Sequence, residues 1–178
     1  MKYKNPHSIL AVIYAQNSGR VLMLQRRDDP SFWQSVTGSL ESGESPYQAA
    51  VREVKEETGI DIAAQHLSLI NCNARIKFEI FPHFRYKYAP HVTHCTEYPF
   101  LLALPQECEP RLSEHLAYQW LDARQAAALT KSPNNAQAIR TYLIDKSAVE
   151  NLSVFSPHFN DDNKVCRLRR QSDETGAT

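Results

Sequence analysis

No run of apolar residues in this chain approaches the roughly 20 needed to span a bilayer, so no membrane-spanning helix and no membrane partner are expected. Net charge is lacking too, because 20 Lys and Arg balance 20 Asp and Glu. Without a global field to draw nucleic acid or an anionic surface, any attraction for phosphate has to be local. The four cysteines, Cys72, Cys95, Cys108 and Cys166, include no C-x-x-C pair and suggest no disulfide framework. A reducing, cytoplasmic setting is the expectation. His91, His94 and Cys95 lie close enough in sequence to raise a transition-metal site, but a strand-flanking loop is the commoner explanation. Met1 to Ala15 carries two lysines ahead of an apolar run, yet Tyr14 interrupts it and no small-x-small site follows, so a cleaved leader is not expected.

What is present is enough for a proper core. With 178 residues, 42% of them hydrophobic, the chain reads as one globular domain over 1–148. A C-terminal extension, 149–178, is expected to be partly disordered, because periodicity fades and the end is polar around the basic cluster Arg167 to Arg170. Ser8 to Ala15 and Val21 to Gln25 read as a hairpin about a Gln-Asn-Ser-Gly turn. Phe32 to Thr37 reads as an extended segment. Leu67 to Asn73, Arg75 to Phe81, Tyr98 to Leu104 and Tyr118 to Leu121 read as strands, and Ala123 to Leu129 as a helix capped by Asp122. Ser132-Pro133 opens a further helix with Ile139, Tyr142 and Leu143 at helical spacing. This mixture predicts an α/β fold, a mixed β-sheet with helices on both faces.

The most informative stretch runs from Gly38 to Ile60. Ser45 and Pro46 suit a helix start and Gly59 a stop. Between them Glu53, Glu56 and Glu57 fall three and four residues apart on one face, while Tyr47, Val51 and Val54 form an adjacent apolar arc. A solvated acidic face balanced by Arg52 and Lys55 is the competing reading. Two glutamates roughly 6 Å apart repel by about 3 kcal/mol at an effective dielectric near 20, and a bound cation removes that penalty. Carboxylates without nearby Cys or His ligands suit hard ions, so with a phosphate substrate Mg²⁺ is the expected cofactor and Mn²⁺ the alternative. Gly38 and Gly43 are read as giving the loop before the helix backbone shapes closed to other residues.

The spacing Gly, five residues, Glu44, seven residues, then Arg52-Glu53-apolar-x-Glu56-Glu57-x-Gly59-apolar resembles the signature of the Nudix hydrolases. That resemblance implies an α/β/α sandwich and hydrolysis of a diphosphate linked to another moiety, with Glu53 and Glu57 as metal ligands and Glu56 as a further ligand or a base. It also implies metal contact by the Gly38 carbonyl, orienting roles for Glu44 and Arg52, and an added acidic residue from outside the box, for which Glu114 is the candidate.

Further segments, among them Val21 to Pro30, Phe32 to Gly38, Phe78 to Phe81 and Ala126 to Ser132, resemble a bacterial branch of that family that acts on a pterin triphosphate and serves folate biosynthesis. The small-molecule partner implied is a pterin triphosphate, with a nucleoside triphosphate as the alternative and a non-catalytic sensing module as a third reading. Lys4 and Arg26 are expected at phosphate oxygens. Phe78-Glu79-Ile80-Phe81 is expected against the base, Thr37 at the loop entrance, and Ser132 at a helix start that either caps the helix or favours an anion. Oligomeric state has no signature in this sequence.

Overall fold

Residues 3–146 are described by the computed structural model; the extension expected at 149–178, with Cys166 and the basic cluster, lies outside them. In chain order the elements are β1 (His7–Ala15), β2 (Val21–Arg26), β3 (Trp33–Gln34), β4 (Val36–Ser39), α1 (Pro46–Thr58), β5 (Leu69–Asn71), β6 (Ile76–Glu79), a 3₁₀ helix (Pro82–Lys87), β7 (His94–Leu104), β8 (His115–Leu121), α2 (Ala123–Leu129) and α3 (Pro133–Ile139), the last running into a π-helical turn (Arg140–Ile144).

The eight strands form one mixed sheet. β1 pairs in parallel with β7 along its whole length, from His7 beside Thr96 to Ala15 beside Leu104. Its other edge takes β4 antiparallel, Ser8 to Ala11 against Ser39 to Val36, and meets β2 at Tyr14 and Val21. β6 and β5 extend the far edge of β7, while β3 and β8 pair with β2.

β1 reads as continuously apolar because both of its faces are covered. Ile9, Ala11 and Ile13 meet Ala49, Ala50 and Val54 of α1 in one core. Leu10 and Val12 meet Ala126, Ala136 and Ile139 of α2 and α3 in the other. The expected layering, helices on both faces of a mixed sheet, is what the chain adopts.

α1 forms where its end signals stand. Ser45 Oγ accepts from the Gln48 amide at 3.2 Å while Gln48 Oε1 accepts from the Ser45 amide at 2.9 Å, a reciprocal capping box. Gly59 ends the helix with φ of 75° and donates its amide to Lys55.

The extended segment Phe32 to Thr37 is present as two short strands separated by Ser35. Other readings need correction. β7 starts at His94 rather than Tyr98 and β8 at His115 rather than Tyr118, because sheet pairing holds their polar first residues without needing apolar ones. The 3₁₀ helix carries no apolar periodicity and was not expected. His94 and Cys95 are strand residues rather than loop residues, and they alternate: His94 is exposed and Cys95 buried, so they share no site.

Candidate active site

A cavity of about 650 Å³ opens where β1, β4, β6 and β7 meet the N-terminal end of β8, and it is lined by Gly38, Glu53, Glu56, Glu57 and Glu114. That volume suits a drug-sized ligand.

Arg52 organises one wall. Its guanidinium bonds Glu44 through Nε at 2.8 Å and Nη2 at 2.9 Å, the Ser39 carbonyl at 3.1 Å, Glu53 at 2.7 Å and Glu56 at 3.1 Å. The loop from β4 to α1 is thereby clamped to the helix, the orienting arrangement expected of Glu44 and Arg52. The surrounding carboxylates raise the Arg52 pKa further.

Gly38 is needed for space. A Cβ there would lie 1.9 Å from Cδ of Glu53, while the positive φ in this loop belongs to Gly43, at 77°. The expectation that both glycines serve unusual backbone shapes is corrected at Gly38.

Glu57 is the most buried of the three glutamates on α1. It is 4% exposed and leaves Oε2 buried without a hydrogen-bond partner; the nearby Thr37 backbone amide only partly offsets the rise in its pKa. Burial first, then the charges of Glu53 and Glu114, push its carboxyl well above the usual range. Burial also raises Glu53, with Arg52 opposing and Glu56 and Glu114 adding. Glu56 is exposed.

Glu114 precedes β8 on a loop tied to α1, where Ser113 Oγ donates to the Glu56 carbonyl at 2.7 Å and the Arg111 amide to the Thr58 carbonyl at 2.8 Å. Among the described residues no group of three or more His, Cys, Asp or Glu side chains stands as a ready-made metal cage. Arg52 bonds both Glu53 and Glu56, so this wall is an ion-pair network. An orphaned carboxylate oxygen beside other carboxylates nonetheless fits a hard divalent cation in its donor chemistry.

The expected substrate residues divide. Lys4, Arg26, Thr37, Phe78, Ile80, Phe81 and Ser132 line the same cavity; Glu79 does not. Strand alternation turns Glu79 outward between Phe78 and the buried Ile80. Arg26 is already engaged, bonding Asp28 at 2.7 Å twice and Gln34 at 3.2 Å, with its guanidinium 4.4 Å above the Phe84 ring. Thr37 Oγ1 accepts from Gln34 Nε2 at 2.9 Å. Ser132 Oγ accepts from the Asn135 amide at 3.2 Å, a capping role.

Several cavity residues were not foreseen. Lys87 pairs with Asp28, and Arg26 with Lys87 hold that carboxyl far below its usual range. Phe32, Phe81 and Phe84 pack edge to face and tilted. His115 is buried with Nδ1 unpartnered, and burial holds its pKa below the ordinary value. Glu97 is a buried carboxyl inside β7. Glu97 stands just ahead of the apolar run from Tyr98 and carried no sequence signal of its own; for Lys87 and Phe84 there was none beyond an aromatic and basic cluster around Pro82.

The sequence pattern and the cavity agree with the comparisons. The NUDIX domain family matches residues 4–142, and the chain belongs to the Nudix hydrolase family. It is 62% identical over 143 residues to the dihydroneopterin triphosphate diphosphatase of Escherichia coli (strain K12), covering 80% of this chain and 95% of that protein. The enzyme of the same name from Haemophilus influenzae is 55% identical over 145 residues, covering 82% of this chain and 92% of the relative. The solved structure of the E. coli dihydroneopterin triphosphate pyrophosphohydrolase superposes with a TM-score of 0.80 at 61% identity, over 82% of this chain and 99% of that one.

Proposed function

We propose that this chain hydrolyses dihydroneopterin triphosphate to the monophosphate and pyrophosphate, a step of folate biosynthesis, with Mg²⁺ as the cofactor and Mn²⁺ as a substitute. The observation that carries the reading is the convergence on one cavity of Glu53, Glu57 and Glu114, with Glu53 and Glu114 both raising the proton affinity of the buried Glu57 and one Glu57 oxygen unpaired. The 62% identity to a named diphosphatase supports the substrate.

In this reading Glu53, Glu57 and Glu114 hold the metal, with the Gly38 carbonyl beside them and Glu56 as a further ligand or a base. Such a cation supplies positive charge for the phosphoanhydride oxygens and acidifies the attacking water. The protein's own task is positioning. Arg52 keeps Glu53 and the Gly-rich loop in register. Arg26 and Lys4, together with Lys87, present cations to the phosphates, and Asp28 keeps Arg26 and Lys87 together. Phe78, Ile80 and Phe81 offer apolar surface to the flat base, while Thr37 and Ser132 border it.

The hydrolase domain of this reading runs over 1–148, with 149–178 an extension. A cytosolic setting belongs to the reading, supported by the free thiols of Cys72, Cys95 and Cys108. Among the described residues no helix is long and apolar enough to cross a membrane.

The test is a panel of dihydroneopterin triphosphate and nucleoside triphosphates, assayed with Mg²⁺ and with product identification. The expected result is highest kcat/KM for the pterin and release of pyrophosphate rather than phosphate. Higher efficiency on any nucleotide overturns the substrate assignment.

A further inference from the structure

Glu97 is a buried cavity carboxyl that the hydrolytic chemistry leaves unused. It is 5% exposed and sits on β7 beside Ser8 of β1 and Ile76 of β6, yet it lines the cavity. A buried carboxylate is costly unless its oxygens are hydrogen-bonded. Among the described residues Glu97 has a single hydrogen bond, from Asn134 Nδ2 to Oε1 at 3.3 Å, and no cation pairs with it.

The surroundings are built rather than accidental. Asn135, fully buried, fixes α3 to the segment between β3 and β4 by donating to Ser35 Oγ at 2.9 Å and accepting the Ser35 amide at 2.8 Å. Asn134 is thereby held over Glu97. On the sheet, Phe78 pairs with Cys95, two residues from Glu97 on the same face, so an aromatic surface borders the carboxylate. A flat ring resting on Phe78 would lie on the same face of the sheet as Glu97.

Resting on the reading that this cavity takes the base of a pterin triphosphate, we infer that Glu97 is the residue that determines base specificity, its carboxylate accepting the two adjacent N–H groups of a 2-amino-4-oxo edge. Pterin and guanine share that pair of donors. Hypoxanthine lacks the amino group, and adenine presents an acceptor where the ring N–H would be. A carboxylate, which has only acceptors, matches the first two and is left partly unpaired by the others. Sites that hydrogen-bond a substrate N–H reject analogues lacking it far more strongly than apolar pockets reject a missing methylene. Burial, opposed only by Asn134, raises the carboxyl to about 7, in keeping with an acceptor whose partners arrive with the ligand.

The experiment compares kcat/KM of the full chain and of Glu97→Gln on dihydroneopterin triphosphate, ATP, GTP and ITP. The wild type is expected to favour GTP over ITP, and Glu97→Gln to lower that ratio at least about tenfold, with KM for the pterin rising more than kcat falls. Because a ratio of efficiencies does not depend on how much enzyme is folded, a destabilised variant still answers. An unchanged GTP-to-ITP ratio alongside a wild-type preference for the pterin overturns this inference and leaves the proposed substrate standing. A wild type that favours ATP over both the pterin and GTP overturns both.

Discussion

Arg52 grips Glu44 along one edge of its guanidinium, Nε to Oε1 at 2.8 Å and Nη2 to Oε2 at 2.9 Å. The grip spans the Gly-rich loop, so the loop's shape and the place of Glu53 depend on the same side chain.

Arg52→Lys removes the fork, since an ammonium cannot make two parallel bonds and still reach Glu53. We expect kcat to fall about tenfold or more with the fold retained, through lost positioning. The bond from Arg52 is also the main reason the Glu44 carboxyl lies below its ordinary value. A depressed folded pKa stabilises above the unfolded value and loses that contribution as pH falls through the folded one. The stability gap between wild type and Arg52→Lys is therefore expected to be wide at pH 7 and to close in acid. Denaturant melts at both pH values check it, and an equal gap at both removes the fork as its source.

For Glu57→Gln, turnover is expected to drop on the order of a thousandfold while the fold is held or strengthened. Glu57 is buried with a raised carboxyl. A raised folded pKa stabilises below the unfolded value and costs stability as pH climbs through the folded one. Replacing it with a neutral amide removes that cost, so at pH 8 without added metal the variant should melt no lower than wild type. A lower melt with activity largely kept would make Glu57 a packing residue.

Gly38→Ala tests a contact rather than a charge. The new Cβ would press on the far end of the Glu53 side chain, which can swing aside, so folding should survive. Glu53 cannot then keep its place, and kcat is expected to fall about a hundredfold. Thermal melts and steady-state kinetics on the same preparation decide this, and near-normal kcat would show that the place of Glu53 is not needed.

Much of α1 was legible because its signals are local: Ser45, Pro46, Gln48 and Gly59 act within a few residues of one another. The strand pattern around β1 was legible for a similar reason, a run apolar on both faces. The burial of Glu57 was not, because it is set by Thr37 on β4 and by the loop before β8, which meet α1 only in the folded chain. Glu97 escaped notice for the same cause: its position matters only once Ser8 lies beside it and Asn134 above it. Glu79 is the opposite case. Strand alternation alone places it on the face opposite Phe78 and Ile80.

The parallel pairing of β1 with β7 sets His7 beside Thr96 and Ala15 beside Leu104. No local turn can bring such strands together. At ribosomal rates of roughly 5–20 residues per second, the first strand waits several seconds before its partner is even synthesised. During that delay the edge of β1 that β7 will cover stays unpaired, so the nascent chain presents an apolar strand edge that the folded chain does not.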